Sequence, residues 1–214
     1  MISQREPNLI MTLDATALVL AQELPGFADI IRRATLRTAD GAGVKWALRR
    51  KGHTVTRVSG VDLVERMTEL SAQRGYRLYF IGAEPGVTDL AAERLRLKYP
   101  GCNIVGTHHG YFPADSDPVV AADIAKLKPD VVFAAMGMPR QEQFILNTMQ
   151  AIGAPIMMGV GGSFDVFSGK TKRAPKLMQA LHLEWLWRLM LNPTKIAKVK
   201  KLPKFALMVL REGR

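Results

Sequence analysis

The sequence predicts an α/β fold, a Rossmann-like and mostly parallel sheet with flanking helices, followed by a basic helical C-terminal appendage. Three observations carry that expectation. Short apolar or β-branched runs alternate with longer stretches of helical character. The runs are almost continuously apolar, as strands covered on both faces must be. Glycine-rich turns follow several of them, where a strand hands over to a helix. With 214 residues, 48% of them hydrophobic and 23% charged, the chain has enough apolar material for one core, and wholesale disorder is excluded.

Taken in order, strands are expected over residues 9–13, 54–58, 77–81, 103–107, 130–135 and 155–159. Helices are expected over 16–23, 41–51, 62–74, 87–99, 118–127 and 139–152. Asp40-Gly41 ends the segment before the second helix, and Pro139 suits the first turn of the sixth. There is no internal repeat or low-complexity tract. A boundary near 169–175 separates a body, 1–169, from an appendage, 170–214. The single cysteine, Cys102, excludes an intramolecular disulfide framework and a cysteine-based metal knuckle. The first ten residues lack the basic and apolar regions of a signal peptide. The longest uncharged stretch, 143–164, is broken by Gln, Asn, Pro and Gly, so it reads as a helix end, a loop and a strand rather than a membrane span.

The net charge of +11 is unevenly distributed. Residues 1–169 hold 18 basic and 17 acidic side chains, whereas 170–214 hold 12 basic and 2 acidic ones. A neutral body with a basic tail points to docking on an anionic surface. Residues 176–191 are apolar on most sides, with Glu184 and Arg188 four apart on one stripe. Further on, Lys195, Lys198 and Lys201 recur at threefold spacing beside Ile196, Val199 and Leu202. This basic amphipathic pattern suits an interfacial membrane helix. A helix packed on the body with a solvated basic face, or contact with RNA, are the alternatives.

Parallel sheets bind ligands where strands end and helices begin. Three such junctions are rich in glycine: 81–86, 135–142 and 159–165. Glycines let backbone amides approach a phosphate, and the next helix offers free N–H groups. None of the three is a dinucleotide or Walker loop. At these junctions, Asp40 can cap a helix or act as a general base. Thr12 and Asp14 end the first strand, Gln141 and Glu142 open a helix, and Asp165 follows a glycine loop where it could meet a ribose or base. Each can equally be a turn or cap residue. Asp115-Ser116-Asp117 matches the Asp-x-Asp pattern that holds a divalent metal in many sugar-nucleotide transferases, but between Pro113 and Pro118 it reads first as turn and cap chemistry. The adjacent pair His108-His109 lacks a metal-ligand spacing, and Ser163 has no evident histidine partner for a hydrolase triad.

Together these segments resemble the WecG/TagA/CpsF family of bacterial glycosyltransferases. The matching pieces are Thr12-Leu13-Asp14, Ala39-Asp40-Gly41, Val61-Asp62-Leu63 and Met136-Gly137-Met138-Pro139-Arg140-Gln141-Glu142. They continue with 159–165, Arg173-Ala174-Pro175, 183–188 and Asn192-Pro193, in the family's order over nearly the whole chain. The resemblance implies an inverting, metal-independent transferase without a cofactor. It would move a sugar from a UDP-sugar to a polyprenyl-diphosphate-linked sugar in exopolysaccharide, capsule or cell-envelope glycan biosynthesis. It implies that Asp40 is the catalytic base and that Thr12, Asp14, Arg57, Gln141 and Asp165 lie near the sugar nucleotide. It also implies that the appendage docks on an anionic membrane surface and brings Arg188, Lys195 and Lys198 to the site. The implied location is cytoplasmic, peripheral on the inner face of the membrane, without nucleic acid as a partner; a homo-oligomer is compatible. Asp14 stands where the family commonly has Asn, and Lys195 and Lys198 where it has Arg, which keeps the charge but loses the bidentate fork. Two other classes stay open on the residues alone: a non-catalytic nucleotide- or RNA-binding domain with a basic arm, and a metal-dependent transferase using Asp115 and Asp117.

Overall fold

The computed structural model describes residues 1–175, 178, 186, 187, 190 and 201–212. The elements run β1 (Asn8–Leu13), α1 (Ala15–Glu23), α2 (Phe27–Arg33), β2 (Leu36–Ala39), α3 (Ala42–Arg50) and α4 (Gly60–Arg74). They continue with β3 (Arg77–Gly82), α5 (Val87–Lys98), β4 (Asn103–His108), α6 (Asp117–Lys126), β5 (Val131–Ala135), α7 (Arg140–Ile152), β6 (Ile156–Gly159) and α8 (Ser163–Phe167), and α9 (Lys201–Glu212) closes the described chain. Among the described residues the strands form one six-stranded sheet in the order β2-β1-β6-β5-β3-β4. Every pairing is parallel. The expected Rossmann-like α/β architecture is therefore present.

Period-two alternation divides the strands between two cores. Leu9, Met11, Tyr79, Ile81, Val132 and Ala134 face α1, α2, α6 and α7 on one side of the sheet. Ile10, Leu78, Phe80, Val131 and Phe133 face α4, α5 and α8 on the other. Phe80 lies edge-on to Phe133 and stacks on Phe164 of α8, which pins that short helix to the sheet.

The expected strand over 54–58 is absent. Leu36–Ala39 takes the edge position instead, with Ile10 opposite Leu36 and Leu13 opposite Ala39. The 54–58 segment is irregular and meets that edge through Val58, whose amide donates to the Ala39 carbonyl at 3.0 Å and whose carbonyl accepts from the Thr38 hydroxyl at 3.3 Å. The reason is positional: α2 delivers residues 36–39 directly alongside β1, and α3 then carries the chain away from the sheet. Two short helices, α2 and α8, lie where the sequence sets out no helix.

The basic segment after 169 stays tied to the body where it is described. Arg173 pairs with Asp62 at the start of α4 and Ala174 is buried, while the Trp187 indole donates within the segment itself, to the Lys172 carbonyl at 3.0 Å. In α9, Phe205 and Val209 pack on Ala15 and Val19 of α1, with Leu202, Met208 and Ala47 beside them. Lys201 and Lys204 both reach Glu23, at 2.9 and 2.7 Å, and hold its carboxyl below the ordinary range through their hydrogen bonds. The apolar stripe over 201–212 is thus covered by the body, as the packed-helix alternative has it, while Leu207 and Leu210 are 49% and 48% exposed on its outer side. Glu184, Arg188, Lys195 and Lys198 lie outside the described residues.

Candidate active site

After β1 the chain turns into α1 on one face of the sheet, and after the neighbouring β6 it turns into α8 on the other. The departing loops leave a crevice between the carboxyl ends of the two strands, the position where open α/β sheets hold ligands. An open cleft of about 510 Å³ occupies it. Its walls are Thr12 and Asp14 after β1, Asp40 after β2, Gly60 and Val61 at the start of α4, Gly137, Met138 and Gln141 at the start of α7, and residues 160–163 after β6. α1, α4 and α7 begin at it, with Asp14, Gly60, Val61 and Gln141 in its lining, and α3 starts two residues after Asp40, so the positive ends of these helices lie around one volume.

Asp40 is held from three directions. Its amide donates to the Leu13 carbonyl at 2.8 Å, which ties the end of β2 to the end of β1. Its Oδ1 lies 3.5 Å from an Arg57 guanidinium nitrogen, and its Oδ2 accepts from the Gly60 amide at 3.4 Å. The side chain is about a quarter exposed and lines the cleft. A carboxylate so placed is oriented and accessible, as a proton acceptor must be. Arg57 is a cation beside Asp40 and is not among the cleft-lining residues.

The other expected residues divide by what their side chains do. Thr12 donates to the Gly159 carbonyl at 3.3 Å and bridges β1 to β6 at the cleft floor. Asp14 is the N-cap of α1, its Oδ1 accepting from the Ala17 amide at 2.9 Å, and it lines the cleft as well. Gln141 is only 3% exposed. Its Oε1 accepts from the amides of Gly137 and Gly161, both at 3.1 Å, and its Nε2 donates to Glu142 at 2.7 Å. One side-chain amide therefore fastens the loop after β5 to the loop after β6 and shapes the cleft from behind. Asp165 sits in the first turn of α8, outside the lining residues, with its carboxylate next to Gly162.

Two residues gain roles that the sequence did not disclose. Arg140 makes a two-pronged pair with Asp117, one bond being 2.8 Å long, and its guanidinium lies over the rings of Phe112 and Phe144. Asp117 is 6% exposed and is held in that pair, and Asp115 is exposed and hydrogen-bonded to Ser116. The Asp-x-Asp segment is thus a helix start clamped by Arg140. Ser59 caps α4 by accepting from the Asp62 amide at 3.2 Å, and donates to the Asp62 carboxylate at 2.6 Å. Burial tends to raise the Asp62 carboxyl, but the bonds from Ser59 and Arg173 outweigh it and hold it below the ordinary range. The Ser-x-x-Asp spacing at 59–62 was the readable signal for this cap.

Among the described residues, no three His, Cys, Asp or Glu side chains converge as a metal site would require, and no helix is long and apolar enough to cross a membrane. The sequence matches the "Glycosyl transferase WecG/TagA/CpsF family" over residues 1–214. It is 34% identical over 212 residues to the N-acetylglucosaminyldiphosphoundecaprenol N-acetyl-beta-D-mannosaminyltransferase of Bacillus subtilis (strain 168), covering 99% of this chain and 82% of the relative. It is 33% identical over 214 residues to the protein of the same description from Bacillus spizizenii (strain ATCC 23059 / NRRL B-14472 / W23), covering 100% and 82%. With both the sheet topology and the full-length match in agreement, the chain belongs to the WecG/TagA/CpsF family of glycosyltransferases.

Proposed function

We propose that this protein is an inverting, metal-independent glycosyltransferase that moves a sugar from a UDP-sugar onto a polyprenyl-diphosphate-linked sugar during exopolysaccharide, capsule or cell-envelope glycan assembly. The observation that carries the reading is the Asp40 carboxylate, oriented by Arg57 and the Gly60 amide, in a cleft at which α1, α4 and α7 begin. The printed descriptions of the Bacillus relatives, which name a diphosphoundecaprenol-linked acceptor, support the acceptor class.

In this mechanism Asp40 takes the proton of the acceptor hydroxyl as that oxygen bonds to the anomeric carbon. The bond from that carbon to the UDP oxygen breaks on the opposite face, and the configuration inverts. Negative charge grows on the departing diphosphate. Helix N-termini around the cleft stabilise it, and cations must supply the rest. The described lining contributes Asp14 and Asp40 and no lysine or arginine, so the basic segment 170–214 is the source of the completing charge, with Arg188, Lys195 and Lys198 as the candidates. The same segment docks the protein peripherally on the inner face of the cytoplasmic membrane, with Leu207 and Leu210 on the outer side of α9 available to the interface. The Asp117–Arg140 clamp supports metal independence, because it removes the Asp-x-Asp carboxylate from service as a ligand.

The test is a panel of UDP-sugars with a short polyprenyl-diphosphate-sugar acceptor, with and without EDTA. Transfer is expected to be EDTA-insensitive. Asp40→Asn is expected to lower kcat by roughly 10²–10⁴, the usual contribution of a general base, with UDP affinity retained. Near-normal turnover by that variant would remove Asp40 from the role, and loss of transfer in EDTA would return the metal-dependent alternative.

A further inference from the structure

Asp14 and Asp40 line one cleft from the starts of two different helices. Asp14 is the N-cap of α1, and α3 begins two residues after Asp40. Behind the cleft, α9 runs back along α1, with Lys201 and Lys204 at the Glu23 end and Phe205 and Val209 against Ala15 and Val19. The Phe205 ring is 3% exposed. It also fills the space over Gly43: a Cβ there would lie 3.0 Å from the ring's Cε1 and 3.4 Å from the Ala15 Cβ. The ring thus touches the first turn of both helices at once.

We infer that Phe205 is a positioning residue, a ring seated against the direct contact of Ala15 with Gly43 that fixes how α1 and α3 pack, and with it the placement of Asp14 and Asp40 in the cleft. The inference rests on the reading of Asp40 as the base, and it makes a residue of the C-terminal helix part of the active-site scaffold without touching substrate. A close-packed contact has no slack, so a change of one or two methyl groups on either side shifts the helix.

The experiment is a three-variant set in the full chain: Phe205→Ala, Gly43→Ala, and the double variant Gly43→Ala with Phe205→Leu. Phe205→Ala empties the seat, Gly43→Ala crowds it, and the double variant returns roughly the lost room. Each single variant is expected to lower kcat by roughly tenfold, as small misplacements of catalytic groups do, with KM for the UDP-sugar moving less than about twofold. Amide hydrogen exchange should rise over 40–47 and stay unchanged over 77–82 and 131–135. The double variant should recover most of kcat and of the protection. Single variants with wild-type kcat, or a double variant no better than either single, would overturn the inference. If Phe205→Ala does not fold, Gly43→Ala and the double variant decide it. A wild-type protein that transfers no sugar would refute the base assignment, while exchange over 40–47 and its recovery would still decide whether Phe205 holds the two helices.

Discussion

Two of the places where neighbouring strands send their helices to opposite faces make a contrast, and of these two only one opens on the cleft. Between β1 and β6 the following helices go to opposite faces, and the same happens between β3 and β5, where α5 and α7 part. At β3/β5 the main chain closes the gap on itself. The Ala83 amide donates to the Ala135 carbonyl at 2.9 Å, and the Gly110 amide donates to the Ala83 carbonyl at 2.8 Å. Gly82 lies so close to Ala135 that a Cβ would come within 2.5 Å of its carbonyl group. Beside the β1/β6 crevice, the β6 loop is fastened instead by a side chain, Gln141, which ties it to the loop after β5 and leaves the mouth open. A topological switch point therefore offers a place for a ligand, but whether the place stays open depends on what holds the loops.

Four substitutions break or sharpen this contrast. Gly82→Ala should have the largest effect. It combines a backbone collision at 2.5 Å with a φ of +137°, and should destabilise the fold by roughly 3 kcal/mol or more in thermal unfolding. Its counterpart Gly161→Ala, in the open crevice at φ +54° with nothing within 4 Å, should cost only about 1 kcal/mol. Equal melting of the two variants would deny that the closed division is the tighter one. Next, Gln141→Ala should cost about 2–3 kcal/mol, because it strips two part-buried amides of their acceptor. It should also weaken UDP binding in titration calorimetry, although Gln141 acts from behind the cleft. Arg140→Lys should follow at about 1–3 kcal/mol, since one ammonium cannot reproduce the two-pronged bond to a buried Asp117; chemical denaturation measures it.

The smallest effect concerns acid stability. Asp62 has a carboxyl held below its ordinary value of 3.8 in the folded state. Its contribution is therefore complete above that value and is lost as the pH falls through the lower, folded-state value. Arg173→Gln should narrow this shift. Urea midpoints of the variant and the wild type should differ near neutrality and converge below about pH 4. A constant gap down to pH 3 would show that the pair does not act through this carboxylate.

What the sequence disclosed and what it concealed follow from the range of the forces involved. Residues 131–135 are apolar without interruption, and a fully covered strand has no other reading. The Asp40-Gly41 turn likewise marks a strand end from composition alone. Residues 54–58 have better strand composition than Leu36–Ala39, yet the latter pairs with β1, because the choice is made by where α2 delivers the chain. Phe164 shows the same limit: α8 is too short to display a helical period and exists because its ring stacks on Phe80. In the site, Asp40 was readable as a residue type at a junction. The inward turn of Gln141 and the Arg140–Asp117 clamp were not, since partners 20 and 23 positions away in sequence leave no local pattern.

The placement of Gln141 bears on how donor preference could change. One carbonyl oxygen joins two loops that belong to different strand–helix units. An altered backbone in either loop will misalign the other, so the pair behaves as a single mould. Efforts to retune the proposed donor pocket should graft residues 136–139 and 160–163 as a set and leave the glutamine in place, because exchanging one loop by itself would spoil the half that was kept.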